Sequence, residues 1–350
     1  MEGVELVRIE PWLRECLPAA RPPFRFERLA GGRSNLTYLM SDATGGEWVL
    51  RRPPLGPRRP TAHDVLREGR IMAALAPTVV PVPAVLGSRA GDAPFLLMER
   101  APGVAVRDPA TAEALAPVAR ARAGLALAET LAALHAVDPA AVGLADLGRG
   151  ESYVERQLAR WHRQWTEGRT RELDDLAAAH ELLASQVPPQ SRTAIVHGDF
   201  RLDNCLLDPA GEVTAVLDWE ICTLGEPLVD LGLLLVYWAE PGDGVTALED
   251  PPTPAPGFAT RAAVRRRYEE AAGVPAPDLD FHLAFAWWKL ACIVEGVYAR
   301  VERGGLGAVD RPAASFAAQA ERLAGTARQA AAALEPGVTK ITSAAKQMLG

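Results

Sequence analysis

Several absences narrow the field before any motif is read. No run of about eighteen uninterrupted apolar residues occurs, so no membrane-spanning helix is expected. The opening residues Met1-Glu2-Gly3-Val4-Glu5 form neither a basic region nor an apolar stretch, so no secretory leader is expected. Cysteine is scarce: Cys16, Cys205, Cys222 and Cys292 are scattered without a Cys-x-x-Cys spacing. That disfavours a zinc site or a disulfide framework and points to a reducing cytoplasm. Positive charge is not in excess, with 37 Lys and Arg against 44 Asp and Glu and a net charge of −7. A broad electrostatic footprint for nucleic acid is therefore not expected. No internal repeat is evident.

What the chain does have is material for a core. Its 350 residues are 49% hydrophobic and 23% charged, a globular composition with length for two domains or one large divided one. The first hundred residues read as strands at 24–29, 36–40, 47–52, 82–86 and 95–99. A helix over 61–75 joins them, its Val65, Ile71, Met72 and Leu75 on one face. From residue 111 the pattern turns helical, over 111–136, 153–166, 173–186, 227–239, 260–272, 278–303 and 311–333. Residues 240–257 form a Pro-, Gly- and acid-rich loop, either a mobile flap or an insertion. The expected division is a strand-rich N-terminal lobe over 1–100, a helical lobe over 101–335, and a tail over 336–350.

Residues 195–220 carry the most chemistry. The apolar runs Cys205–Leu207 and Val213–Leu217 flank Asp208-Pro209-Ala210-Gly211 and read as a β-hairpin. Asp199 and Asn204 lie just before it, and Asp218 ends its second strand. Oxygen ligands from the two sides of a hairpin can converge on one hard cation, since Mg²⁺ takes carboxylate, amide and phosphate oxygens. Asp199 is then free to orient or deprotonate a hydroxyl, the layout of a kinase-type phosphoryl transferase. His-Gly-Asp alone would be a weak signal, because an Asp often only caps a turn. The full set is more specific. Upstream, Ala30-Gly31-Gly32-Arg33-Ser34-Asn35 sits between the first two strands. Such a turn lets backbone N–H groups approach a phosphate, with Ser34 or Asn35 adding side-chain contacts. Ordinary hairpin chemistry is the alternative.

These residues, with the following Gly225-Glu226-Pro227-Leu228-Val229-Asp230-Leu231, resemble the catalytic and metal-binding segment of the aminoglycoside phosphotransferase and choline kinase superfamily. Protein kinases carry His-Arg-Asp and Asp-Phe-Gly where this chain has His197-Gly198-Asp199 and Asp218-Trp219-Glu220. The resemblance implies an α+β, bilobal protein-kinase-like fold. Its small N-terminal antiparallel β-sheet lobe would carry one helix, and its large C-terminal lobe would be mostly helical. It implies Asp199 as catalytic base, Asn204 and Asp218 as Mg²⁺ ligands, and His197 and Asp230 as structural supports. ATP would be the donor, with Gly31, Gly32, Ser34, Asn35 and Arg51 toward its phosphates. Glu68 would pair with Arg51, unless it is a solvated helical Glu, and main-chain groups of Glu99 and Ala101 would meet adenine. Arg51 stands where kinases place Lys, a departure because the two are not interchangeable. Arg nevertheless clamps phosphate bidentately.

A second distinctive segment is Tyr153–Trp165. Arg156, Arg160 and Arg163 form one helical stripe, and Trp161 and Trp165 form an adjacent one. Either the tryptophans face the core beneath solvated arginines, or the two stripes bind a phosphate-bearing, partly apolar acceptor. The pattern is similar to that of kinase-like domains fused to acyl-CoA dehydrogenases and of their stand-alone bacterial relatives, which implies a hydroxylated acyl acceptor. Trp287, Trp288 and Glu295, on a later aromatic-rich helix, are further acceptor candidates, with a place in the core as the alternative.

The expected function is ATP- and Mg²⁺-dependent phosphoryl transfer to a hydroxyl of a small molecule, preferably a hydroxyacyl or other amphipathic alcohol. An aminoglycoside acceptor is the alternative within that class. A nucleotide-binding pseudokinase or regulatory module is the alternative outside it. Arg51 favours the pseudokinase, and the joint presence of Asp199, Asn204 and Asp218 opposes it. An HD-type phosphohydrolase is disfavoured, because His63, His135, His162, His180 and His282 show no matching ligand arrangement. No nucleic-acid or membrane partner is expected, and the oligomeric state stays open.

Overall fold

Alternation of apolar side chains along the N-terminal strands builds a sheet with two covered faces. The computed structural model describes residues 6–29, 35–54, 64–91, 93–304 and 311–334. Strands β1 (Arg25–Arg28), β2 (Leu36–Ser41), β3 (Glu47–Arg52), β4 (Val85–Arg89) and β5 (Phe95–Glu99) form an antiparallel sheet in the order β1-β2-β3-β5-β4. Tyr38 and Met40, Leu50, and Phe95 and Leu97 all point to one face, as the two-residue strand period demands. Helix α1 (Leu6–Cys16) closes that face with Ile9 and Leu13. On the other face lies α2 (Val65–Leu75), capped by Asp64, whose side chain accepts the Leu66 and Arg67 amides at 3.1 and 3.0 Å. Helix and sheet meet closely there. A Cβ on Gly69 would come within 2.7 Å of Leu96 Cδ1.

Two departures from the sequence reading have local causes. The sheet carries two helices rather than one, because α1 forms despite Pro11 inside it, where proline removes a helix hydrogen bond. Strand β4 begins at Val85 rather than Val82, past Pro83, which has no N–H to offer a ladder.

The chain divides into two compact units. The first comprises Met1–Arg149, Ala194–Leu224 and Pro252–Val274. Beyond the sheet it contains β6 (Val104–Ala105), α3 (Pro109–Glu113) and α4 (Pro117–Ala136). The single helix expected over 111–136 is split at Pro117, which opens α4 as its first residue. The unit also holds β7 (Ala194–Val196), the hairpin β8 (Cys205–Leu207) and β9 (Val213–Val216), and the first two residues of β10 (Thr223–Gly225). The hairpin pairs with β6 in the order β6-β8-β9, and β7 pairs with β10. Helix α8 (Arg261–Ala272) packs on α4, with Glu129 held by both Arg122 and Arg267.

The second unit comprises Gly150–Thr193, Gly225–Pro251 and Pro275–Gly350. Its described helices are α5 (Tyr153–Gly168), α6 (Asp174–Ala184), α7 (Leu228–Tyr237), α9 (Leu279–Glu302) and α10 (Ala313–Ala332). Helix α9 packs against α7 and α10. Within the loop expected at 240–257, Ala247 O accepts from Gln319 Nε2 at 3.0 Å and Glu249 from Arg311 at 2.5 Å, so this stretch is tied to α10 and its approach. No helix among the described residues is long and apolar enough to cross a membrane.

Candidate active site

Strand alternation decides which of the two arginines ending β3 faces the chemistry. Arg52 turns to the α1 side, where its guanidinium lies 5.4 Å from the Phe95 ring centroid. Arg51 turns to the α2 side and donates to Glu68 Oε1. Glu68 is 1% exposed, so it is not a solvated helical residue. Burial pushes its carboxyl up to about 7; Arg51 and, less strongly, the Trp219 backbone amide oppose that shift, and Asp218 and Glu220 add to it. Its second oxygen and Arg51 Nε are buried without a hydrogen-bond partner.

The loop before the hairpin is wired by His197. Its Nδ1 accepts from the Asp199 amide at 3.2 Å, so the proton sits on Nε2, which donates to Leu217 O at 2.9 Å. His197 thereby links the backbone at Asp199 to the residue before Asp218. Gly198 makes the turn possible, with φ +87° and Ile221 at the 3.1 Å mark from any added Cβ. Asn204 Nδ2 donates to Asp199 O at 2.8 Å and to Asp199 Oδ2 at 2.9 Å. Both partners are acceptors only, so the amide must present its nitrogen to them, leaving Oδ1 for another partner. The Asn204 carbonyl in turn accepts from the Leu217 amide at 2.8 Å.

Asp218 is left-handed at φ +66°, a conformation that costs a non-glycine residue of order 1–3 kcal/mol and persists only where its surroundings impose it. The constraints just named on Leu217, with Trp219 Nε1 donating to Val216 O at 2.9 Å, supply that imposition. Asp218 Oδ1 is buried and takes no hydrogen bond; Arg51 Nη2 stands 3.9 Å away. Among the described residues no three His, Cys, Asp or Glu side chains come together as a metal cage. A carboxamide and a carboxylate are instead the sparse donor set that suits Mg²⁺, which completes its shell with water and phosphate oxygens. Asp218 Oδ1, which takes no hydrogen bond, and the free Asn204 Oδ1 fit that ion.

The nucleotide candidates are partly visible. Asn35 is 2% exposed, and neither its amide nitrogen nor its oxygen has a hydrogen-bond partner. Gly31, Gly32 and Ser34 lie outside the described residues. The Glu99 amide already donates to Ala84 O at 2.9 Å, and the Glu99 side chain accepts from the Ala84 amide at 2.9 Å. After Ala101, Gly103 packs on the hairpin at φ +123°, where a Cβ would lie 2.7 Å from Thr214 Oγ1.

The remaining candidates belong to the second unit. Asp230 is fully buried in α7. In α5, Arg160 is exposed, with its guanidinium 5.8 Å from the Trp161 ring, and Arg156 is half-buried. Trp161 and the buried Trp165 both have indole nitrogens without a partner. Trp287 is half-buried, whereas Trp288 is fully buried and donates to Leu176 O at 3.1 Å. Both Glu295 oxygens are taken by Arg171.

Residues that sequence reasoning passed over also meet the first unit's site. Arg201 reaches Asp199 Oδ2 at 3.3 Å and Asp203 Oδ2 at 2.9 Å. Its backbone is extended, φ −157° and ψ 166°, so Asp199 and Arg201 share a side. The spacing Asp-x-Arg was a legible signal. Arg67, one residue before Glu68, donates to three backbone carbonyls, and no local pattern announces that.

Comparison with known proteins identifies the family. The model of the APH phosphotransferase enzyme family matches residues 25–285. The mouse protein acyl-CoA dehydrogenase family member 10 is 36% identical over 286 residues, covering 79% of this chain. The match takes up 27% of that relative, so the chain spans about a quarter of its length. A solved protein from Ralstonia eutropha JMP134, proposed to be an aminoglycoside phosphotransferase, superimposes with TM-score 0.79 at 29% identity, over 94% of this chain and 98% of the other. The APH(2″)-IIa chain of a streptomycin–ATP ternary complex shares the fold at TM-score 0.57 and 14% identity, over 92% and 97% of the two chains. With Asp199, Asn204 and Asp218 gathered on one wired hairpin and the family model spanning both units, the chain belongs to the APH phosphotransferase enzyme family.

Proposed function

We propose that this phosphotransferase moves the γ-phosphoryl group of ATP to a hydroxyl of a small molecule, with Mg²⁺ bound by Asn204 and Asp218. The observation that carries the reading is the pair of released oxygens. Asn204 spends its nitrogen on Asp199, and Asp218 Oδ1 is buried without a hydrogen bond in a strained backbone. A bound Mg²⁺ supplies charge neutralisation at phosphate oxygens. Arg51, aligned by Glu68, and Asn35 are the side chains for the nucleotide, in a lobe over 1–100. Asp199 accepts the hydroxyl proton as the hydroxyl oxygen bonds to the γ-phosphorus. The bond from that phosphorus to the bridging oxygen breaks, and ADP leaves with the electron pair.

For the acceptor, a hydroxyacyl or other amphipathic alcohol is the preferred class. The relative at 36% identity bears an acyl-CoA dehydrogenase name, and α5 offers Arg156 and Arg160 beside Trp161. An aminoglycoside is the second reading, favoured by the name of the Ralstonia eutropha structure.

The test is ADP release with ATP and Mg²⁺ against hydroxyacyl-CoAs, free hydroxy acids, choline-like amines and aminoglycosides. Asp199→Ala is expected to lower acceptor-stimulated turnover by about 10²–10⁴ with folding intact, the usual cost of losing a general base. Near-normal turnover in that variant would sink the assignment.

A further inference from the structure

Helix α2 does two things with two consecutive residues. Glu68 faces Arg51, and Arg67 reaches another way, to the chain that follows Asp218. Arg67 Nη1 donates to Glu220 O at 3.3 Å. Its Nη2 donates to Cys222 O at 2.5 Å and to Leu147 O at 3.3 Å. Glu220 and Cys222 are the second and fourth residues after Asp218, so one guanidinium grips the segment that leads directly out of the left-handed Asp218. One turn along the helix, Arg70 binds the Asp146 carboxylate at 2.5 and 3.1 Å and Gly143 O at 2.8 Å. That second grip touches only the 143–147 segment and is exposed.

The choice of side chain matters. An arginine presents its donors in one planar fork, so carbonyls bound to it are fixed relative to one another and to the helix. An ammonium would hold the same charge without fixing that geometry. We infer that Arg67 is a positioning residue for phosphoryl transfer: it sets Asp218 relative to the Glu68–Arg51 pair, and so places the metal ligand against the nucleotide phosphates. The inference rests on the phosphotransferase reading above.

The test is calorimetric titration of the full chain with a non-hydrolysable ATP analogue, with and without Mg²⁺, for the unmodified protein, Arg67→Ala, Arg67→Lys and Arg70→Ala. In the unmodified protein Mg²⁺ is expected to tighten binding. Arg67→Ala is expected to lose roughly tenfold or more of that gain, the usual effect of removing a group that orients a metal ligand, with Mg²⁺-free binding unchanged. Arg67→Lys should fall between, and Arg70→Ala should match the unmodified protein. If Arg67→Ala keeps the whole Mg²⁺ gain, or loses no more than Arg70→Ala, the positioning role is overturned while the phosphotransferase reading stands. If the unmodified protein binds no nucleotide under either condition, that reading falls and takes this inference with it. Should Arg67→Ala fail to fold, Arg67→Lys against Arg70→Ala decides by the same criterion.

Discussion

Glu68 in the first unit and Glu295 in the second are each 1% exposed and each face an arginine, yet their surroundings differ in completeness. Arg171 gives Glu295 both its oxygens' partners, spends further donors on Glu321 at 2.5 Å and Ala317 O at 2.9 Å, and lies 4.6 Å from the Tyr298 ring centroid. Nothing remains for a ligand. Glu68 has one oxygen on Arg51, with only the nearby Trp219 amide to offset the burial of the carboxyl further, and its arginine keeps an Nε without a hydrogen bond while its Nη2 stands 3.9 Å from a second carboxylate, Asp218. The same two residue types therefore make a finished strut in one place and an unfinished site in the other. Buried polar groups in native proteins are nearly always satisfied, so the unfinished one points to a missing partner.

The largest expected effect comes from breaking the finished pair. Arg171→Ala strips both buried Glu295 oxygens of their partner, and should cost about 3–5 kcal/mol in urea unfolding. Arg51→Ala should cost clearly less. Glu68, already pushed up to about 7 by burial, can take a proton and neutralise itself. Equal losses in the two variants would end the distinction between strut and site.

The next effect separates them by function. Arg51→Ala should weaken nucleotide binding by roughly tenfold or more, as expected for a lost charged hydrogen bond of about 1.5–3 kcal/mol. Glu295→Gln should leave nucleotide affinity unchanged while lowering the unfolding midpoint. A titration with ATP and Mg²⁺ reads both. If Glu295→Gln weakens the nucleotide as much as Arg51→Ala does, the α9 pair is not merely structural.

The two pairs also differ in how far the sequence exposed them. The hairpin was legible because two short apolar runs flank Asp-Pro-Ala-Gly, and Asp199, Asn204 and Asp218 occupy fixed offsets from it. Arg51 was legible from the resemblance, because it stands where kinases place Lys, and the structure then shows it rather than Arg52 on the Glu68 side of β3. Arg171 was not, since the short connection between α5 and α6 carries no periodicity and its partners lie 124 and 150 residues away. Arg67 was invisible for the same reason, with carbonyl partners 80 to 155 residues distant. Backbone carbonyls leave no mark in a sequence at all. Helix α1 was missed on local grounds: Pro11 speaks against a helix, and only packing of Ile9 and Leu13 onto the sheet overrides it.

The smallest expected effect tests whether every unfilled hydrogen bond marks a site. His197 has both ring nitrogens engaged, whereas His282 in α9 is 2% exposed and its Nδ1 has no partner. Unlike Glu68, His282 owes its shift to burial alone, which lowers its pKa from 6.5 to about 4 with no charge among the causes. It is therefore read as core and not as an unfinished site. The sign follows from proton binding. Between those two values the unfolded chain holds a proton that the folded chain refuses, so the stabilisation is present above pH 6.5 and is lost as pH falls through 4. Between pH 7.5 and 5.5 the loss sums to about 1.3 kcal/mol for this one group, most of it below 6.5, where the unfolded imidazole is already half protonated. Unfolding free energies of the unmodified protein and His282→Asn, measured at pH 7.5, 6.5 and 5.5, should therefore shift against the unmodified protein by about that amount, whatever their difference at neutrality. Parallel pH profiles would show that His282 finds a partner when charged, and that its empty nitrogen belongs with Glu68 after all.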